Sequence, residues 1–171
     1  ESKEEYKFCL LISIGVFTGL RISDLLKLKY SDLLNKNTLV LSEQKTGKIR
    51  TIRINQDLQS LIQRVFKKQN LSHPNQQIFL NRFGKKPIDK SYVNVKLKEI
   101  FSKNRIKLEG NVSSHLFRKT LGRRVMEINN YSSESLVLLM ELFGHSSMAI
   151  TKRYLGIRQQ EINDVYLSVS L

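Results

Sequence analysis

Arg21, Lys45, His115, Arg118, His145 and Tyr154 have the types and the spacing of a phosphoryl-transfer centre. Breaking a phosphodiester without water as the nucleophile needs three things: an attacking oxygen, cations for the charge that builds on the nonbridging oxygens, and an acid for the departing oxygen. Tyr154, nine residues after the Gly144-His145 pair, offers the oxygen. Arg21 and Arg118 form the natural clamp. A guanidinium is planar, permanently charged and able to donate two parallel hydrogen bonds to phosphate oxygens, which lysine cannot reproduce. His115 precedes Arg118 by three residues, which puts both side chains on one face of a helix. Lys45 lies in the turn-forming run Gln-Lys-Thr-Gly-Lys (44–48), which also holds Lys48. Taken singly, a tyrosine at a helix end is ordinarily core or surface, and a Gly-His pair is ordinarily a helix C-terminus. Order and spacing in one chain carry the reading.

The three blocks read Thr-Gly-Leu-Arg-Ile-Ser-Asp (18–24), His-Leu-Phe-Arg (115–118) and Leu-Phe-Gly-His-Ser-Ser-Met-Ala-Ile-Thr-Lys-Arg-Tyr (142–154). On these blocks the chain resembles the tyrosine recombinases, also called phage-integrase-type recombinases, over essentially the whole catalytic domain. The resemblance implies that Tyr154 attacks the scissile phosphate and becomes joined to the 3′ phosphate, leaving a free 5′ hydroxyl. The bond energy is kept in the phosphotyrosine, so rejoining needs neither ATP nor another cofactor. Lys45 is implied to protonate the leaving 5′ oxygen, with Lys48 in the same turn leaving that assignment open between the two. His115 is implied to assist proton transfer involving Tyr154, His145 to donate to a nonbridging oxygen, and Asp24 to orient neighbouring cationic groups.

The implied protein is a site-specific recombinase or integrase of a mobile genetic element, cytoplasmic, bacterial and nucleoid-associated. Its partners are double-stranded DNA and further copies of itself, a tetramer on DNA and a monomer when isolated. A type IB topoisomerase shares the nucleophile and the arginine chemistry, and a non-catalytic DNA-binding module is a third reading. The Gly-His-Ser-Ser block with Tyr154 close behind favours the recombinase, and the presence of Arg21, Arg118 and Tyr154 together counts against the binding module.

These groups need a scaffold, and periodicity predicts one that is mainly α with a small antiparallel β-sheet, an α+β fold. An apolar helix over residues 2–17 runs into the Thr18-Gly19 break, and Ser23 and Asp24 open a second helix to about Leu28, so Arg21 sits at a corner. Residues 38–43 and 49–54 read as a hairpin with Lys45 at its tip. Residues 57–69 read as a helix, 78–80 as a short strand and 83–85 as a turn. Residues 91–104 place Val93, Leu97, Ile100 and Phe101 on one packing face. Further helices follow at 115–130, 133–143 and 148–154, with a last one over 158–167.

The 171 residues amount to a single domain, residues 1–171, and carry a formal net charge of +14, from 29 Lys and Arg against 15 Asp and Glu. Residues 82–107 alone hold nine Lys or Arg against Asp89 and Glu99, half of that excess. Lys85, Lys86, Lys90, Lys96 and Lys98 are therefore candidate phosphate contacts. The tail 155–171 is different. From Gly156 onward it carries Arg158 against Glu161 and Asp164 among apolar residues, and the resemblance implies docking on a neighbouring copy.

The single cysteine, Cys9, excludes an intrachain disulfide, and its apolar neighbours mark it as a core filler. The apolar stretch 8–20 is too short to cross a bilayer, and the acidic start is wrong for a signal peptide. No Cys/His cluster, acidic triad or Gly-rich phosphate loop calls for a metal or a nucleotide. The chain does not begin with Met. Because the family carries a helical DNA-binding domain ahead of the catalytic one, residues 1–171 are expected to be a fragment lacking it.

Overall fold

The computed structural model describes residues 3–69, 73–108, 110–157, 164 and 166–169. The described residues form eight helices and one two-stranded antiparallel sheet, the mainly α architecture that periodicity predicts. They divide into two compact units, Glu1–Arg118 and Lys119–Leu171.

In the first unit, α1 (Lys3–Thr18) buries Phe8, Leu10, Leu11 and Ile14. Cys9 is exposed, against the expectation of a core filler. At about 100° per residue it falls opposite the arc those four residues cover. Gly15 faces α6 (His115–Ile128), where an added Cβ would stand 2.5 Å from the Phe117 ring. Gly19, at φ +58°, turns the chain out of α1 with its N–H still bonded to the Gly15 carbonyl at 2.9 Å. Arg21 follows in an extended conformation as the residue before α2 (Ile22–Leu25). That helix stops short of Leu28, because the N–H groups of Lys27 and Leu28 bond three residues back and tighten the chain into a turn. A single helical turn that periodicity cannot resolve, α3 (Tyr30–Leu33), is opened by the Lys29 N–H donating to Asp32 Oδ2 at 2.8 Å.

The hairpin pairs β1 (Thr38–Ser42) with β2 (Ile49–Arg53), Leu39 opposite Ile52 and Leu41 opposite Arg50. Gly47 supplies the positive φ of its turn, +67°. Asn55 caps α4 (Gln56–Lys68) by accepting the Leu58 N–H, and Leu58, Ile62 and Val65 are buried. The expected strand over 78–80 is instead a pair of isolated bridges, Lys29 with Gln77 and Leu80 with Pro87. Proline has no N–H to extend a ladder. Asp89 caps α5 (Lys90–Lys103), which buries Val93 and Leu97 as its spacing requires.

The second unit takes up α6 after Arg118 and continues through α7 (Ser133–Phe143) and α8 (Met148–Leu155). Its core gathers Met126, Leu136, Leu139, Phe143, Leu155 and Ile157. Gly122 makes room for that core, since a Cβ there would stand 2.5 Å from Leu155 Cδ2. Gly144, at φ +63°, ends α7 with its N–H on the Glu141 carbonyl and the His145 N–H on the Met140 carbonyl. Ser147 caps α8, its Oγ accepting the Ile150 N–H at 3.3 Å. The helix expected over 158–167 lies mostly on residues outside those described. No helix among the described residues is long and apolar enough to cross a membrane.

Candidate active site

The corner that carries Arg21 and the turn that carries Lys45 are tied by three polar links, all in the first unit. Arg21 Nη1 donates to Glu43 Oε2 at 2.5 Å. The Gln44 N–H donates to Asp24 Oδ1 at 2.9 Å, so the buried Asp24 holds the backbone beside Lys45. Arg50 Nη2 donates to the Thr18 carbonyl at 2.7 Å, just ahead of Arg21 in the chain. Lys45 and Lys48 are both exposed in this turn.

Glu43 is the hub, and the sequence reading passed over it. It is 7% exposed, accepts from Thr46 Oγ1 at 2.9 Å as well as from Arg21, and has Oε1 3.6 Å from Arg50 Nη1. Burial pushes its pKa up, but the hydrogen bonds from Arg21 and Thr46 and the positive charges of Arg21 and Arg50 outweigh that and hold it below the usual carboxylate range. Burial lowers the Arg50 pKa, with Glu43 acting in the opposite sense. A signal for both residues was present. Strand alternation continues Leu39 and Leu41 to Glu43, and Ile54 and Ile52 back to Arg50, so two charged residues stand at inward positions beside the turn.

His115 is the first residue of α6 and is exposed, whereas Arg118, one turn on, is 6% exposed. The entry to α6 is pinned by the Ser114 N–H, which donates to Asn94 Oδ1 on α5 at 2.9 Å. Of the candidate phosphate contacts, Lys85, Lys86, Lys90 and Lys98 are exposed. Lys96 is engaged within the protein, its Nζ 2.7 Å from Glu99 Oε2, and that hydrogen bond raises its pKa.

In the second unit, His145 and Tyr154 come together. Their rings meet edge to face with centroids 5.3 Å apart, and Phe143 lies 5.6 Å from each. Gly144 and the Ser147 cap fold the chain back so that His145, just past α7, reaches the second turn of α8. The His145 Nδ1 is 3.0 Å from Oγ1 of the fully buried Thr151. Lys119 places its Nζ 5.7 Å from the Tyr154 ring centroid, a cation beside the tyrosine that spacing did not single out. No group of three or more His, Cys, Asp or Glu side chains gathers as a metal site among the described residues.

Residues 2–161 match the Phage integrase family. The chain belongs to that family. It is similar to the probable integrase/recombinase YoeC of Bacillus subtilis, 30% identical over 166 residues, which make up 97% of this chain and 84% of that protein. It is also similar to tyrosine recombinase XerC of Leptospira interrogans, at 27% identity over 91% of this chain and 48% of that one. The fold is that of a tyrosine recombinase catalytic domain. The XerH site-specific recombinase in its pre-cleavage complex with difH substrate superposes with a TM-score of 0.68 at 23% identity, over 97% of this chain and 47% of that one. The XerA recombinase gives 0.70 at 19% identity, over 96% and 58%. This chain thus spans about half the length of XerC and XerH.

Proposed function

We propose that this chain is the strand-cleaving and rejoining domain of a site-specific DNA recombinase or integrase. The observation that carries the reading is Tyr154 held edge-on to His145, across the turn between Gly144 and the Ser147 cap, in a member of the Phage integrase family. Tyr154 Oη attacks the scissile phosphorus, forming a tyrosyl–3′-phosphate bond as the bond to the 5′ oxygen breaks. Arg21 and Arg118 bind the nonbridging oxygens, with His145 donating beside them. Lys45, or Lys48 in the same turn, delivers the proton to the departing 5′ oxygen, and His115 assists the transfer of the Tyr154 proton. A 5′ hydroxyl from a second duplex reverses the step and joins the new strand.

The substrate is double-stranded DNA. Lys85, Lys86, Lys90 and Lys98 are exposed and contact its backbone, with Lys96 joining them if it leaves Glu99. On DNA the active species is a tetramer, with the tail 155–171 docked on a neighbouring copy, and the isolated domain is a monomer. The setting is the bacterial cytoplasm, at the nucleoid. The relatives are recombinases and integrases, which favours this reading over a relaxing topoisomerase.

The test is a nicked suicide duplex carrying the DNA that flanks the gene, incubated with the protein in excess EDTA. A covalent protein–DNA band on a denaturing gel, with its cleavage position mapped, is the expected result. Relaxed circles without recombinants would move the assignment to a topoisomerase, and binding without any adduct would leave only a DNA-binding module.

A further inference from the structure

The function proposed above assigns the chemistry to Arg21 and to a lysine of the 44–48 turn, and leaves open what sets these two groups relative to each other. Arg21 stands at a corner between two helices, and Lys45 is exposed in a turn 24 positions later in the chain. A cation clamp on the nonbridging oxygens and a proton donor at the departing oxygen must meet one phosphate together. A misplacement of about 1 Å in such a site costs about 100-fold in rate.

We propose that Glu43 is a positioning residue for that reaction: its carboxylate fixes Arg21 and the lysine-bearing turn to one another, so that clamp and acid are set as one unit. The carboxylate binds in both directions. Oε2 accepts from Arg21 Nη1 at 2.5 Å and from Thr46 Oγ1, next to Lys45, at 2.9 Å. The Glu43 backbone holds the turn as well, its N–H on the Lys48 carbonyl at 2.9 Å and its carbonyl on the Gly47 N–H at 2.8 Å. A carboxylate at one nitrogen of a guanidinium fixes the plane of the fork, and with it the direction of the remaining N–H groups. Glu43 also lies between two guanidinium groups, with Arg50 Nη1 3.6 Å from Oε1, and so offsets the repulsion that would drive Arg21 and Arg50 apart.

The parallel links of Asp24 to Gln44 and of Arg50 to Thr18 hold backbone only. Among these three links, Glu43 is the one that grips a side chain assigned to the chemistry. Glutamine at position 43 would keep the length and an acceptor oxygen but lose the charge that holds a guanidinium at 2.5 Å.

The inference rests on the functional reading, and the experiment separates the two. Single-turnover cleavage at saturating DNA is measured for wild type, Glu43→Gln, Thr46→Val and Lys45→Ala, on an ordinary scissile phosphate and on one with a 5′-bridging sulfur, which leaves without a proton. Glu43→Gln should cleave ordinary DNA about 10- to 100-fold more slowly, with its Kd for DNA within about twofold of wild type. Because Arg21 is also displaced, sulfur should restore only part of that loss. Thr46→Val loosens the turn alone, so sulfur should restore its rate nearly in full, as for Lys45→Ala. Amide exchange of Gly47 and Lys48 should quicken in both Glu43→Gln and Thr46→Val, a readout that needs no catalysis.

A wild type that forms an adduct together with a Glu43→Gln variant that cleaves at the same rate, or that loses only DNA affinity, overturns the role of Glu43 and leaves the function standing. Unchanged amide exchange overturns the tie to the turn. A wild type that forms no Tyr154 adduct overturns the functional reading and the catalytic role of Glu43 with it.

Discussion

The His145 imidazole and the Tyr154 phenol stand edge to face at 5.3 Å and 67°, and the same imidazole has its Nδ1 3.0 Å from Thr151 Oγ1. Thr151 and Tyr154 are three residues apart on α8 and share a face of it. One helix face thus presents the tyrosine and orients the histidine. The Thr151 hydroxyl also lies 3.3 Å from the Ser147 carbonyl; when its proton goes to Nδ1 instead, the imidazole proton is left on Nε2, the donor that a nonbridging oxygen requires.

Thr151→Val keeps the shape and removes the hydroxyl. Losing one buried hydrogen bond of about 1 kcal/mol should slow cleavage about fivefold, without loss of DNA affinity. The His145 ring 15N shifts should move away from the Nε2–H tautomer. Unchanged shifts and an unchanged rate would show that the hydroxyl does not steer the ring.

Tyr154→Phe should fold normally, because Tyr154 packs in the second core through its ring, against Phe143. It should bind DNA and form no covalent product. An adduct trapped at wild-type levels from this variant would place the nucleophile elsewhere.

Lys45 and Lys48 are both exposed, so burial does not choose between them. Lys45→Ala should cripple cleavage of ordinary DNA and recover with the 5′-bridging sulfur substrate, while Lys48→Ala should lose little. Rescue confined to Lys48→Ala would transfer the acid to that residue.

Gly122→Ala probes how closely the helix that carries Tyr154 is packed. The new Cβ would stand 2.5 Å from Leu155 Cδ2 and 3.2 Å from the Phe143 ring, which itself packs at a steep angle against His145 and Tyr154. Overpacking of this kind costs about 1–3 kcal/mol, so Tm should fall and the cleavage rate with it. A melting curve that superposes on wild type would show that the second core has slack.

Glu43 carries a pH dependence whose sign follows from its lowered pKa. The stabilisation it contributes is present above the ordinary value of 4.5 and is lost as pH falls through the lower folded value. In urea melts, Glu43→Gln should be about 1–3 kcal/mol less stable than wild type at pH 7, and the gap should close below about pH 4.5. A gap that stays constant down to pH 3 would mean that the charge of Glu43 contributes nothing.

Helix spans were legible wherever apolar spacing ran for several turns, as in α1, α4, α5, α6 and α7, because a 3.6-residue period repeated over ten or more residues leaves few alternatives. The breaks were legible too, since Gly19, Gly47 and Gly144 adopt positive φ where the chain must turn. What failed was short or decided by neighbours. The single-turn α3 has no period to read, and Cys9 shares apolar neighbours with the core but faces away from it.

The candidate chemistry is set by residue type and order, so the sequence by itself determined which groups could attack, clamp and protonate. Tertiary structure alone decided what holds them. Glu43 reaches Arg21 from 22 positions away, Arg50 reaches Thr18 from 32, and Thr151 grips His145 across a helix start. Ion pairs and hydrogen bonds act over a few ångströms of space, and sequence distance carries no trace of them until the hairpin pairs and α8 folds back on the end of α7.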